Sequence, residues 1–175
     1  TMETTAGSHN SFIDNTITEE SVWVVSNMGM NSSDGIVRGN HITGNGIDCI
    51  VMGHTSTDNY GLSADADRTI CINNRCKGDK GKHGILVQHG DYIVIDGNVI
   101  SDIRPTGLVS TQDWTAGAIS CRSSAGDINN ITITNNAITN VCRGINFGNN
   151  SHLTISGNTI KMWAKLTGSH TGSAN

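Results

Sequence analysis

One short pattern recurs along the chain and constrains its fold more than any other feature. An apolar residue is followed after two variable residues by Asn, and a second apolar residue stands two positions beyond that Asn. The six copies are Phe12/Asn15/Ile17, Val37/Asn40/Ile42, Cys71/Asn74/Cys76, Ile95/Asn98/Ile100, Ile133/Asn136/Ile138 and Ile155/Asn158/Ile160. By subtraction, successive Asn positions lie 25, 34, 24, 38 and 22 residues apart. Short self-similar units of this size predict a solenoid whose longer repeats carry insertions.

A second pattern lies between the copies of the first, a small residue followed by alternating apolar positions. It reads Gly46-Ile47-Asp48-Cys49, Gly84-Ile85-Leu86-Val87, Ala118-Ile119-Ser120-Cys121 and Gly144-Ile145-Asn146-Phe147, and we expect Val22-Trp23-Val24-Val25 to fill the same slot in the first coil. Alternation with period two predicts at least two short strands per coil. Gly and Asn, both poor helix formers, interrupt every candidate helix.

The recurring Asn has two expected physical roles. Asn tolerates the left-handed backbone conformation better than most residues, so it can turn the chain sharply between two strands. Asn side chains stacked from coil to coil can also bond one another as an amide ladder.

The coils at 93–100, 131–138 and 153–160 resemble those of the right-handed parallel β-helix superfamily, which includes pectate lyases, polygalacturonases, alginate epimerases and bacteriophage tailspikes. The resemblance covers roughly residues 10–162 and implies an all-β, right-handed parallel β-helix of about six coils. We expect residues 1–175 to form one domain with a polar tail at 163–175. Neither end reads as a cap for the solenoid, so a segment of a longer, tailspike-like chain is expected.

Composition and charge exclude several classes of function. The formal net charge is −4, whereas nucleic-acid binders usually carry an excess of basic residues. No apolar run approaches the ~18 residues of a membrane span. The five Cys residues have no CxxC spacing, so they are expected to be reduced core residues. Reduced Cys implies assembly in a reducing cytoplasm, and the resemblance then implies a virion tail or extracellular location.

Three insertions are the expected places for chemistry, because solenoid function usually lies on loops and on the outer face of one sheet. Loop one is 53–67, loop two is 77–83 and loop three is 101–117. Loops two and three both follow the Asn turn in consecutive coils, so we expect them to stack on one edge of the solenoid.

The candidate catalytic residues are carboxylates, because glycoside hydrolysis normally needs two of them ~5 to ~9.5 Å apart. Asp113 of loop three is the first candidate, and Asp79 or Asp48 is its expected partner. A structural alternative is that Asp113 caps its loop. Calcium-dependent chemistry would need a carboxylate cluster on neighbouring coils, which the sequence does not offer. No metal or other cofactor is expected.

The candidate ligand-binding residues are those that suit an acidic sugar. Trp114 can stack on a pyranose face, or alternatively pin its own loop. Lys and Arg side chains can hold uronic or sialic carboxylates. The full set of binding candidates is Trp114, Arg122, Lys80, His83, Gln88, Arg104 and Tyr60.

The expected function is that of a carbohydrate-recognising β-helix from a tailspike-like homotrimer, which binds and depolymerises bacterial surface polysaccharide as a glycoside hydrolase or lyase. One alternative is a non-catalytic structural or adhesive fibre segment, which the scarcity of Glu favours. Another is a secreted polysaccharide lyase or epimerase. Of the polygalacturonase motifs only His83-Gly84 is present, so that mechanism does not transfer.

Overall fold

The computed structural model describes residues 2–3, 8–19, 26–44, 48–53, 66–78, 83–103, 117–122, 128–148 and 150–162. Within these ranges the chain forms 18 short strands and no helix. Each of six coils contributes one strand to each of three sheets, and every strand pairing is parallel. The protein is therefore a right-handed parallel β-helix, as the repeat predicts.

The strands follow one another in the same order in every coil. The first sheet contains β1 (Met2–Glu3), β4 (Ser26–Met30), β7 (Asp48–Met52), β10 (His83–Val87), β13 (Gly117–Cys121) and β16 (Ile145–Phe147). The second sheet contains β2 (Ser11–Ile13), β5 (Ile36–Arg38), β8 (Ile70–Ile72), β11 (Val94–Asp96), β14 (Ile128–Thr134) and β17 (Asn150–Ser156). The third sheet contains β3 (Thr16–Glu19), β6 (His41–Gly44), β9 (Arg75–Gly78), β12 (Val99–Ser101), β15 (Ala137–Val141) and β18 (Thr159–Met162).

The two apolar positions of the Asn pattern form columns in one continuous core. The position before the Asn gives the inner column of the second sheet, and the position after it gives the inner column of the third. Buried members of these columns are Phe12, Val37, Cys71, Ile95 and Ile133 in the second sheet, and Ile42, Cys76, Ile100 and Ile138 in the third. Alternation along each strand leaves the flanking residues on the outer face.

The amide ladder expected from the Asn column is confirmed. The side-chain oxygen of each Asn accepts hydrogen bonds from the backbone N–H and the Nδ2 of the Asn one coil earlier, at 2.9 to 3.0 Å. The ladder runs through Asn15, Asn40, Asn74, Asn98, Asn136 and Asn158. The Nδ2 group of Asn98 also donates to the backbone oxygen of Cys71 at 2.9 Å. The ladder therefore joins successive coils and satisfies buried backbone groups.

The prediction that the ladder Asn residues adopt the left-handed conformation is wrong. Positive φ falls on the residue immediately before each one, namely Asp14, Gly39, Asn73, Gly97, Asn135 and Gly157. The preceding residue turns the chain, and this directs the ladder amide inward to bond a neighbouring coil.

The predicted alignment of the first sheet is also wrong in two coils. Met52, rather than Cys49, pairs with Val87, so the register differs by three residues. In the coil before it, the slot is filled by β4 (Ser26–Met30), and residues 22–25 lie outside the described part of the chain. The prediction failed because residues 46–49 imitate the small-then-apolar pattern while methionines occupy the true core positions.

Four of the five cysteines lie in the core, as expected from their repeat positions. Cys49, Cys71, Cys76 and Cys121 are buried, Cys142 is half-buried, and none of the five forms a disulfide bond. Among the described residues there is no helix that is long and apolar enough to cross a membrane.

Candidate functional site

Two candidate residues from different repeats, Asp48 and His83, meet at the start of neighbouring strands of the first sheet. They are register partners in β7 and β10. The Nδ1–H group of His83 donates a hydrogen bond to Oδ1 of Asp48 over 2.6 Å. The side chains of His83 and Asp48 are 8% and 7% exposed, so the pair is almost closed to solvent.

The pair lies on the outer side of the first sheet. Gly117 follows His83 in the same register row, and a Cβ atom at Gly117 would lie 3.2 Å from the hydroxyl of Ser120. Ser120 pairs with Leu86, which stands between the core residues Ile85 and Val87 and so faces away from the core. Leu86 and Ser120 are nonetheless buried. The outer face of the first sheet is therefore a covered surface in these coils.

The hydrogen bond to Asp48 fixes the orientation of the His83 ring. With Nδ1 directed at a carboxylate, the second ring nitrogen, Nε2, lies on the side of the ring away from Asp48. Burial removes water from the pair and strengthens its electrostatic interaction. Among the described residues, no donor bonds the second carboxylate oxygen of Asp48, which leaves it able to accept a ligand hydroxyl.

Loops two and three leave and rejoin the solenoid at stacked positions beside this pair. Lys77 and Ser101, at the ends of β9 and β12, are register partners. His83 and Gly117, at the starts of β10 and β13, are register partners as well. Both loops thus cross the same corner, between the third and the first sheets.

Most of the loop candidates fall outside the residues that the structure describes. These are Tyr60 of loop one, Asp79 and Lys80 of loop two, and Arg104, Asp113 and Trp114 of loop three. Their proposed roles remain predictions from the sequence.

A further charged group lies where loops two and three begin. The Lys77 ammonium nitrogen is 3.9 Å from Oδ2 of Asp102, and the side-chain amide of Asn140 donates to Oδ1 of the same carboxylate. Three consecutive coils contribute one residue each. Lys77 and Asp102 belong to the predicted loops two and three, and Asp102 directly follows β12.

Gln88 and Arg122 form a separate neighbourhood at the opposite end of the first-sheet strands. Their backbone N–H groups bond the carbonyls of Met52 and Val87 at 2.9 and 3.0 Å, which places them on successive coils. Five residues of strand at ~3.3 Å each put Gln88 roughly 16 Å along the chain from His83. These two candidates therefore lie near each other but not beside Asp48 and His83.

No metal centre is visible in the part of the chain that the structure describes. No group of three or more His, Cys, Asp or Glu side chains there is arranged to hold an ion. The chemistry of the described site is that of one imidazole and one carboxylate.

Comparisons with known proteins add no further assignment. No protein-family model matches the chain. No curated protein and no solved structure matches it either. The fold therefore rests on its own strand pairing, which identifies a parallel β-helix and does not select a function.

Proposed function

We propose that this β-helix binds bacterial surface polysaccharide, capsule or O-antigen, and depolymerises it as part of a tailspike-like protein. The observation that carries the proposal is the buried hydrogen bond between His83 and Asp48 on the outer side of the first sheet. His83 and Asp48 occupy neighbouring outer positions at which apolar residues would be tolerated. Burying polar side chains there costs free energy unless they bond each other. An imidazole that is oriented by a carboxylate can transfer protons.

Loops two and three supply the sugar-binding part of this proposal. They enter and leave the solenoid beside His83, and their sequences carry Lys80, Arg104 and Trp114. Cationic side chains suit an acidic polysaccharide, and an indole ring suits the face of a pyranose. In this proposal the site combines a proton-transfer pair with loop groups that suit an extended anionic glycan.

The chemistry of the described pair favours a lyase over a hydrolase. Hydrolysis by the usual route needs two carboxylates, and the described site has one carboxylate, Asp48, with an imidazole. Elimination next to a uronic carboxylate needs a base that removes the proton while the C–O bond to the neighbouring sugar breaks. An imidazole can take that proton and return it to the leaving oxygen. A hydrolase would require Asp113 or Asp79 as the second carboxylate.

A panel of purified bacterial surface glycans tests the proposal. The chain is incubated with each glycan while ultraviolet absorbance reports unsaturated uronate and a reducing-end assay reports hydrolysis. We expect unsaturated product from a uronate-containing glycan. If neither signal appears across the panel, the depolymerase proposal is wrong, and glycan binding without product would favour the adhesive fibre instead.

Substitutions then assign the residues. His83→Gln and Asp48→Asn are expected to lower the turnover rate about 10²–10⁴-fold, the usual contribution of acid–base catalysis. His41→Gln changes an exposed histidine of the third sheet and serves as the matched control. Circular dichroism confirms that each variant folds. Full activity in a folded His83→Gln protein would contradict the assignment, and loss of activity only in Asp113→Asn would transfer the catalytic role to loop three.

The non-catalytic alternative has one observation in its favour. The buried outer face of the first sheet leaves only a small opening at His83, as a structural polar pair would. In that case His83→Gln would lower the melting temperature without changing glycan affinity.

A further inference from the structure

The outer face of the second sheet carries an exposed aliphatic strip over the first four coils. Its members are Ile13, Ile36, Ile70, Ile72 and Val94, on the adjacent strands β2, β5, β8 and β11. Ile13, Ile36 and Ile70 are 36%, 37% and 38% exposed, and Ile72 and Val94 are half-buried. In the fifth and sixth coils the corresponding positions are Thr132, Thr134, Thr154 and Ser156. The strip is therefore a bounded patch, on the order of a few hundred Å² of apolar surface, of the kind that marks an interaction site.

Two charges of opposite sign stand at equal distances from the centre of this strip. Arg38 and Asp96 are the register partners of Ile72 on its two sides. Within the described residues Arg38 makes no ion pair, and it is exposed. Among the residues that the structure describes, donors reach the Asp96 carboxylate only at Oδ1, which accepts hydrogen bonds from Thr134 and Asn135 at 2.6 and 2.9 Å.

This spacing satisfies the requirement of a two-fold interface, in which the same surface must complement itself. Consider a two-fold axis that lies between two copies and runs parallel to β8. Rotation about this axis reverses the order of the coils in one copy relative to the other. Arg38 of each copy then faces Asp96 of the other, and Ile36 faces Val94. Ile70 and Ile72 meet their own counterparts at the axis. Faces of two sheets pack about 10 Å apart, a distance that an Arg and an Asp side chain together can span.

We propose that the aliphatic strip is a homodimer interface, in which two copies of this chain pack antiparallel through their second sheets, in place of the trimer that the resemblance to tailspikes implies. The charge on the turn before β8 does not oppose this arrangement. Arg68 already pairs with Asp34 of its own chain at 2.6 Å. Because the strip is smaller than the ~800 Å² per partner of a standard stable interface, the dimer dissociates in the micromolar range.

Sedimentation equilibrium of the full chain over about 1 to about 100 µM tests the proposal. We expect a mass that rises with concentration from 18.5 kDa to twice that value. Added salt lowers the association, because the two ion pairs lie at the rim of the interface. A single-chain mass at every concentration overturns the proposal. A three-chain mass also overturns it, because a three-fold axis does not pair Arg38 with Asp96 in this way.

Exchanging the two charges tests the proposed contact between Arg38 of one copy and Asp96 of the other. Arg38→Asp places two carboxylates opposite each other and is expected to weaken dimerisation at least tenfold. The double variant Arg38→Asp/Asp96→Arg restores the attraction and is expected to recover dimerisation, which a different interface would not produce. Ile70→Lys places two like charges at the axis and should leave a monomer. The control is Val99→Lys, which changes a residue exposed to 39% on the third sheet, outside the strip, and should leave the dimer intact.

Discussion

Asn98 joins three coils of the solenoid through a single amide. Its side-chain oxygen accepts from the backbone N–H and the Nδ2 of Asn74. Its own Nδ2 donates to the side-chain oxygen of Asn136 and to the backbone oxygen of Cys71. Glutamine has the same amide but an extra methylene, so it cannot place both groups at these positions. This explains why Asn recurs in the column.

Asn98→Ala should therefore be strongly destabilising. The substitution removes the acceptor of the Asn74 backbone N–H and of one Asn74 Nδ2–H, and it removes a hydrogen bond to the Cys71 carbonyl, at about 1–3 kcal/mol for each group left unsatisfied. We expect a loss of about 3–5 kcal/mol, read from the urea midpoint. Asn158→Ala, at the partly exposed end of the ladder, is the matched control and should cost clearly less. Equal losses of stability in the two variants would show that the contribution of a ladder Asn does not depend on its burial.

The residue that turns the chain before each ladder Asn follows a pattern that the sequence alone does not explain. The turning residues alternate between a side-chain-bearing type and Gly, as Asn73 then Gly97 and Asn135 then Gly157. A Cβ atom at Gly97 would lie 2.6 Å from the side-chain oxygen of Asn73, and one at Gly157 would lie 2.4 Å from that of Asn135. Each Asn thus covers the Gly of the next coil. The sequence contains this alternation, but only the register between coils reveals its cause.

At the scale of the strands, the sequence predicted two of the three sheets with correct alignment. The Asn pattern carries a polar anchor at a fixed offset from two apolar positions, so each copy aligns unambiguously. The first sheet has no such anchor, and β7 was misplaced by three residues. That error hid the pairing of Asp48 with His83, although both residues had been named as candidates. Residues that are neighbours across two strands can be recognised from the sequence only when both strands are aligned correctly.

The buried cysteines of these strands make stability dependent on pH. Burial raises the pKa of Cys71 and of Cys121 from 9.0 to about 12. In alkaline solution the unfolded chain releases these protons while the folded chain keeps them, so stability falls as pH rises from about 9 towards about 12.

The urea midpoint should therefore fall between about pH 8 and about pH 10. The double variant Cys71→Ala/Cys121→Ala is expected to be less stable overall but to show a flatter dependence on pH. An unchanged slope would assign the effect to other groups.

At the scale of the whole molecule, the solenoid is a stack in which each coil contacts only its neighbours. Stability is then close to a sum of coil and interface contributions, so the same substitution has different effects at different heights. Ile133 and Ile155 occupy one inner column of the second sheet and are register partners. Ile133 is 0% exposed, whereas Ile155 in the sixth coil is 41% exposed.

Truncating these two isoleucines measures how strongly position in the stack controls stability. Ile133→Ala should cost about 2–5 kcal/mol, because it removes buried methyl groups and leaves a cavity between two coils. Ile155→Ala should cost at most about half as much, because part of its side chain contacts solvent already and no closed cavity forms. The comparison uses one residue type, one column and one denaturation assay followed by two spectroscopic probes, since long stacks can unfold in steps. Similar losses at both positions would mean that the sixth coil is packed as tightly as the fifth in solution, and would place a covering element over Ile155.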